Sequence, residues 1–147
     1  MGDKDAPLIR RSPVAATIKG LAAIPIPEIA YPRNGRIAPQ ELSVYRVRGI
    51  VNRIVVEDDR DWHIVLSDPT QPEVTMIVEI PDPQCVEDVD VRALLTEARK
   101  VLHMIPRRGM AEFEGVGFFD FIHTQRNGAS NGFELHPVLT IHLLSRN

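Results

Sequence analysis

The sequence predicts an all-β or α+β fold: a small five-stranded barrel with a helix between its third and fourth strands. Apolar and polar residues alternate in short runs on both sides of residues 90–104, whereas within that range apolar residues recur at spacings of three and four. Proline, glycine and Asn-Gly pairs separate these runs where a chain would turn. The predicted order is therefore strand, strand, strand, helix, strand, strand.

Five runs have the alternation typical of strands. In the first of them Tyr45, Val47 and Val51 share one face. The predicted strands are residues 42–56, 62–67, 74–80, 111–119 and 133–144. Gly115 and Gly117 lie inside the fourth strand, so we expect a sharp bend there or the close approach of another backbone.

Two helices are predicted. Asp88 or Asp90 can cap the longer one, and Pro106 ends it. We expect this helix to plug one end of the barrel through its apolar face, which consists of Leu94, Leu95, Ala98 and Leu102. Ser12 followed by Pro13 predicts the start of a shorter helix over residues 14–21.

A chain of 147 residues fits one domain and can bury a core without disulfides. We predict a flexible tail over residues 1–11, an N-terminal helix and an extended, Pro- and Gly-rich arm over residues 12–41, and an OB-like barrel over residues 42–147. We call the barrel OB-like because the element order resembles that of the OB-fold, a five-stranded Greek-key barrel. The alternative is an α+β sandwich of another topology.

Composition excludes several classes of function. The net charge is -3 and the pI about 5.9, so no overall positive field would attract nucleic acid, and we expect no tight nucleic-acid binding. Cys85 is the single cysteine, so no internal disulfide forms. No run approaches the roughly 20 apolar residues of a membrane span. The expected compartment is the cytoplasm if Met1 is the native start, or outside it if a leader precedes this sequence.

Four phrases carry a closer resemblance: ELSVYRVRGIV, DWHIVLSDP, TMIVEIPDPQC and GVGFFDFIHTQRNGASNGFELHPVL. They resemble a widespread bacterial family of uncharacterised function over roughly residues 12–142. Many members of that family carry an export signal. This chain departs from them at Arg126 and Ser130, where many relatives are more apolar.

A weaker resemblance is to OB barrels of the staphylococcal-nuclease type, in which acids near the first hairpin and after the third strand hold calcium. Asp61, Glu79 and Asp82 lie in the corresponding regions. The arginines that bind phosphate in such nucleases have no counterpart in TMIVEI or GVGFFDF. Nuclease chemistry is therefore a minor alternative.

The candidate binding residues fall into two pairs on strands. Asp61 and His63 are two residues apart, as are Glu134 and His136, so each pair shares one face of its strand. If the two faces coincide, they form a cluster of imidazoles and carboxylates that suits zinc or another transition metal, with His63, Glu134 and His136 as ligands. The alternative is that these residues face water or hydrogen-bond loop backbone.

The connection between the last two strands holds further polar residues: Asp120, His123, Gln125 and Asn131. An aspartate can orient a histidine as a base and an asparagine can donate to an oxyanion, but no GxSxG nucleophile is present. The favoured alternative is that these side chains tie the connection to the barrel.

The sequence therefore predicts a binding or interaction module with an unknown ligand or protein partner, and we expect no obligatory cofactor, although a divalent metal is possible. The alternative is a metal-dependent hydrolase that uses the His and acid cluster. Arg46, Arg48 and Arg53 on the first strand are either ligand contacts or solvated charges. The oligomeric state is not encoded in any motif.

Overall fold

The structure, a computed structural model, describes residues 3–28, 33, 35–120 and 128–144. Its strands are β1 (Arg10–Ala15), β2 (Ser43–Val56), β3 (Trp62–Ser67), β4 (Thr75–Ile80), β5 (Met110–Phe119) and β6 (Phe133–Leu143). Its α-helices are α1 (Ile18–Ala22) and α2 (Val89–His103). The five predicted barrel strands are confirmed, and each end falls within one residue of the predicted position.

Strands β2 to β6 close into a barrel. β2 pairs antiparallel with β3 through residues 50–56 and with β5 through residues 44–50, while β4 and β6 pair in parallel. The order around the barrel is β2, β3, β4, β6, β5 and back to β2. This order, with α2 between β4 and β5, is that of the predicted OB-like Greek-key barrel.

Helix α2 packs on the barrel through the predicted face. The side chain of Asp88 caps its first turn by accepting hydrogen bonds from the backbone N–H groups of residues 90 and 91. Leu95, Ala98 and Leu102 are at most 2% exposed in the main core, and Leu94 packs in a smaller cluster beside Val44. Among the described residues, no helix has the length and apolar character needed to cross a bilayer.

The predicted start of the N-terminal helix was wrong. Ser12 and Pro13 lie in strand β1, and α1 begins later, with the hydroxyl of Thr17 accepting from the backbone N–H of Gly20. β3 pairs with β2 only from residue 50 onward, which leaves an edge of β2 open at its start. β1 fills that edge in parallel, and Pro13, which has no N–H to donate, falls at the register shift. The predicted domain boundaries stay predictions.

A buried carboxylate fixes the segment that precedes β2. Glu41 is 0% exposed, yet its oxygens accept hydrogen bonds from the backbone N–H of Ile37 at 2.6 Å and of Phe119 at 2.8 Å. Arg33 forms an ion pair with the same carboxylate and donates to the carbonyl of Phe119 at 2.8 Å. Glu41 and Arg33 therefore both bind the backbone of Phe119, and Glu41 also holds Ile37 and Arg33 beside this end of β5.

The glycines of β5 sit where other backbone comes close. A Cβ on Gly117 would lie 2.5 Å from the carbonyl oxygen of Gln40 and 2.7 Å from the rings of Tyr45 and Phe133. A Cβ on Gly115 would lie 2.9 Å from a β6 carbonyl oxygen. The expectation of close backbone approach at these two positions is confirmed.

We expect Gly117→Ala to destabilise the protein by about 1–3 kcal/mol, because the added methyl group overlaps a carbonyl oxygen that cannot move without shifting the start of β2. Gly128→Ala is the matched control, since among the described residues its Cβ would meet only the Ile77 side chain, at 3.7 Å. Urea unfolding of both variants measures the difference. Equal stabilities would contradict the packing described here.

Candidate functional site

Alternation along three neighbouring strands places polar side chains on the outside of the barrel. Ile64, Val78 and Leu135 are 0% exposed in the core, so the residues beside them along each strand point outward. His63 lies opposite Glu79 in the β3–β4 ladder, and Val78 pairs with Leu135 between β4 and β6. The outward residues of all three strands therefore meet. We name this set the acid–histidine cluster: Asp61, His63, Glu79, Glu134 and His136.

Glu79 is the centre of the cluster. Its Oε2 atom lies 3.0 Å from Nε2 of His63 and 3.4 Å from Nδ1 of His136. Nδ1 of His136 is also 3.5 Å from Oε1 of Glu134. Glu57, in the turn after β2, lies 3.6 Å from Nδ1 of His63. One carboxylate oxygen thus contacts both imidazoles.

A β-bulge determines where His136 points. Gly115 pairs with Val138 and Gly117 with Leu135, so β6 has one residue more than β5 in this interval. The extra residue allows Leu135 and Val138, three positions apart, to point into the core. His136 stays on the outside, on the same side as Glu134.

The cluster is more buried than the outside of a barrel normally is. Glu79 is 6% and Glu134 5% exposed, and the neighbouring outward side chain of Ile77 is 6% exposed. Gly128, which precedes β6, lies beside Ile77. Of the two imidazoles, that of His136 is the more accessible, since its side chain is 35% exposed and that of His63 22%.

Burial acts to raise the pKa of every acid in the cluster whose shift is resolved, but the net shift differs among them. It raises the pKa of Glu134, and the nearby charges of Asp120 and Glu79 add to this effect. Burial also raises the pKa of Asp61, which shares a hydrogen bond with Glu79. Burial alone would raise the pKa of Glu79 too, but contacts with His63 and His136 outweigh it and lower that pKa. Of these three acids, Glu79 is therefore the one whose ionised form is favoured.

Both histidines gain basicity from these carboxylates. Contact with Glu79 raises the pKa of His63 from 6.5 to about 9. Burial acts to lower the pKa of His136, but Glu134 and Glu79 together outweigh it and raise this pKa. At neutral pH His63 is therefore protonated and donates to Glu79.

The cluster continues into a second group of charges at the end of β4. Oδ1 of Asp61 accepts a hydrogen bond from the backbone N–H of Asp82 at 2.8 Å, and Oδ2 of Asp82 lies 2.9 Å from Nε of Arg60. Arg99 of α2 donates to the carbonyl of Ile80 at 3.0 Å and its guanidinium lies on the ring of Trp62. Asp61 thus already orders the start of the β4–α2 connection.

Of the remaining predicted site residues that the structure describes, Asp120 is linked to the cluster, because its charge acts on Glu134. Asn131 has its described contacts elsewhere. Asn131 is 5% exposed and donates its amide to the carbonyls of Leu21 at 2.8 Å and Ile24 at 3.0 Å. It therefore ties α1 to the start of β6. His123 and Gln125 lie outside the described residues.

Sequence reasoning did not include Glu79 among the ligand residues, although it named this glutamate in the nuclease comparison. Among the described residues, the donor atoms of Glu79, Glu134 and His136 lie within 4.8 Å of one another, whereas His63 is not in that group. The available signal was that Glu79 is the one charged residue in TMIVEI.

Arg46 and Arg48 of β2 face β5 and not the acid–histidine cluster. Arg46 pairs with Glu114 at 2.7 Å and Arg48 with Glu112 at 3.5 Å, each directly across the β2–β5 ladder. His142 lies 3.6 Å from Glu114, which also accepts from the Thr140 hydroxyl at 2.8 Å. This second group of acids with a histidine has its charges largely matched by neighbours.

An aromatic residue borders the acid–histidine cluster. The ring of Phe118 lies 5.6 Å from that of His136, and the guanidinium of Arg33 lies 4.7 Å from the centre of the Phe118 ring. Phe119, the next residue, is 1% exposed in the core. Of these two phenylalanines, only Phe118 can contact a ligand.

Neither a protein-family model nor a curated protein matches this chain. The solved structures that are similar to it include two OBody complexes. OBody AM3L09 bound to hen egg-white lysozyme has a TM-score of 0.51 and 16% identity, over 71% of this chain and 84% of that one. OBody AM2EP06 bound to the same protein has a TM-score of 0.50 and 14% identity, over 71% and 82%. Identities this low show the fold alone, an OB-like barrel. The resemblance to a bacterial family stays a prediction.

We expect stability to fall as pH rises, because the pKa of His63 is raised from 6.5 to about 9. A histidine whose pKa is higher in the folded than in the unfolded state stabilises the protein fully at pH values below the unfolded-state pKa. This stabilisation is lost as the pH rises through the folded-state pKa. The shift corresponds to roughly 3 kcal/mol. Solvent screening at this part-exposed pair reduces the expected loss to about 1–2 kcal/mol.

Urea unfolding at several pH values between 6 and 10 measures this loss. The His63→Gln variant should show a shallower fall than the native chain, and His142→Gln, which alters an exposed histidine, should not. An identical fall in the native chain and in His63→Gln would show that the ion pair with Glu79 contributes nothing.

Proposed function

We propose that the protein is a binding module and that the outer face of β3, β4 and β6, at the acid–histidine cluster, is its binding surface. The observation that carries this proposal is the convergence of five titratable side chains on one small patch, two of whose carboxylates, Glu79 and Glu134, are about 95% buried. Burial of like charges is unfavourable unless a partner compensates it.

The position of the patch within the barrel supports the proposal. OB barrels bind ligands on the face of their second and third strands, between the loop that joins strands 1 and 2 and the loop that joins strands 4 and 5. In this chain those strands are β3 and β4, and the loops are residues 57–61 and 120–132. Glu57 from the first loop contacts the cluster, and Gly128 from the second lies beside it.

The charge of the patch indicates the kind of ligand. Asp61, Glu79 and Glu134 supply three carboxyl groups against two imidazoles, so the patch favours a cation or a ligand rich in hydrogen-bond donors. A phosphate backbone would meet like charge there, which is consistent with the expectation that nucleic acid is not the ligand. The two OBody structures are bound to lysozyme, so the same fold can also hold a protein partner.

A metal-dependent hydrolase is the second candidate, and it uses the same cluster. It requires a group that removes a proton from water. The pKa of about 9 makes His63 a proton donor at neutral pH and not a base. His63 is therefore not the base that hydrolysis would require, and this favours binding over a reaction that uses this histidine.

The stability of Glu134→Gln tests the proposal. If the carboxylate is kept for a ligand, then replacing it with the isosteric amide should leave the stability of the ligand-free protein unchanged or raise it by up to about 1 kcal/mol, because a binding site is commonly held at a cost in stability. The measurement is urea unfolding in a chelator at about pH 8.

Glu41→Gln is the matched control. Glu41 is buried as Glu134 is, but its carboxylate accepts hydrogen bonds from two backbone N–H groups and forms an ion pair with Arg33. The Glu41→Gln substitution should lower the free energy of unfolding by about 1–3 kcal/mol, the usual effect of disrupting a buried hydrogen-bonded group. If Glu134→Gln loses as much as Glu41→Gln, then Glu134 has a structural role and the proposed binding surface is wrong.

A further inference from the structure

We propose that Glu79, Glu134 and His136 hold one divalent transition-metal ion, with Nδ1 of His136 and one oxygen of each carboxylate as ligands. This inference rests on the proposed binding function and gives its ligand a chemical class.

The two distances from the His136 nitrogen to the carboxylate oxygens fit a tetrahedral ion, and all three donor atoms lie within 4.8 Å of one another. Donors that lie about 2.1 Å from zinc at tetrahedral angles are about 3.4 Å from one another. Nδ1 of His136 lies 3.4 Å from Oε2 of Glu79 and 3.5 Å from Oε1 of Glu134. Both separations exceed the 2.7–3.2 Å range of good N–H···O hydrogen bonds. The donors are therefore spaced for a shared ion better than for direct hydrogen bonds.

The chemical nature of the donors selects the class of ion. Calcium and magnesium are bound by oxygen ligands alone, whereas imidazole nitrogen together with carboxylate oxygen suits zinc, manganese, cobalt or nickel. Three protein ligands leave a fourth position for water or a second molecule. The 35% exposure of the His136 side chain provides access to that position.

The surroundings of the site support the assignment. His63 contacts the same oxygen of Glu79 at 3.0 Å and so can orient this ligand, as hydrogen-bonded neighbours do around bound metals. Asp61 adds a third carboxyl group beside Glu79. A bound dication would offset this excess of acidic groups. Neither Glu79 nor Glu134 has an arginine or lysine among its described ion pairs.

A second group of potential ligands provides an internal comparison. Glu112, Glu114 and His142 also have donor atoms within 4.8 Å of one another. However, Glu114 is already bound by Arg46 at 2.7 Å and by the Thr140 hydroxyl at 2.8 Å, and an arginine beside the site would repel a cation. We therefore assign the metal to the first group and not to the second.

Calorimetric titration of the metal-free protein with Zn²⁺, and separately with Mg²⁺, tests the proposal. We expect one Zn²⁺ per chain and no comparable heat with Mg²⁺. His136→Gln should weaken Zn²⁺ binding by more than about tenfold, whereas His142→Gln, on the same strand, should leave it unchanged. Absence of Zn²⁺ binding, or loss of binding in His142→Gln alone, would overturn the proposal.

If His136→Gln fails to fold, NMR of the native chain decides the same question, since added Co²⁺ should shift the ring signals of His136 strongly and those of His142 little. The reverse pattern, or no shift, would refute the site. The proposed function is tested separately by the unfolding of Glu134→Gln in a chelator. If Glu134→Gln is stabilised but the native chain binds no Zn²⁺, the metal is rejected and the surface remains a binding site for another ligand.

Discussion

Closure of the barrel by one long strand is the constraint on which the rest of the structure depends. The first half of β2 pairs with β5 and the second half with β3, and Ile50 is a partner of both. The strand changes partners beside Gly49, where a Cβ would lie 3.0–3.1 Å from Leu66 and Ile18. A larger residue at position 49 would therefore displace the core side chains of Leu66 and Ile18. Because the closed barrel fills its interior with apolar side chains, every charged residue of its strands must face outward.

That constraint also creates the acid–histidine cluster. β4 lies between β3 and β6, so Glu79 is the one outward carboxylate that can contact a histidine on each side. The β6 bulge keeps His136 on this face while Val138 returns to the core. The result is a shared acid whose ionisation depends on two imidazoles. A binding surface of this kind requires three strands in fixed register, which a flexible loop could not supply.

Much of the barrel and four of the five cluster residues could be predicted from local patterns. Trp62–Ser67 has the predicted bounds because alternation and turn residues define it locally, and the spacing of Glu134 and His136 correctly placed both on one face. Strand β1 could not be predicted, because Pro13 and Ser12 suit a helix start and only the open edge of β2 makes them a strand. The partnership of Glu79 with His136 depends on the parallel β4–β6 pairing, which no local pattern indicates.

The central claim is that the outer face of β3, β4 and β6 is a binding surface for a transition metal. Anomalous X-ray diffraction at the zinc edge, from crystals of the metal-free protein soaked in Zn²⁺, tests it most directly. The account predicts one strong peak about 2.0–2.2 Å from Nδ1 of His136 and from an oxygen each of Glu79 and Glu134. No peak between these residues, or a peak only beside His142, would contradict it.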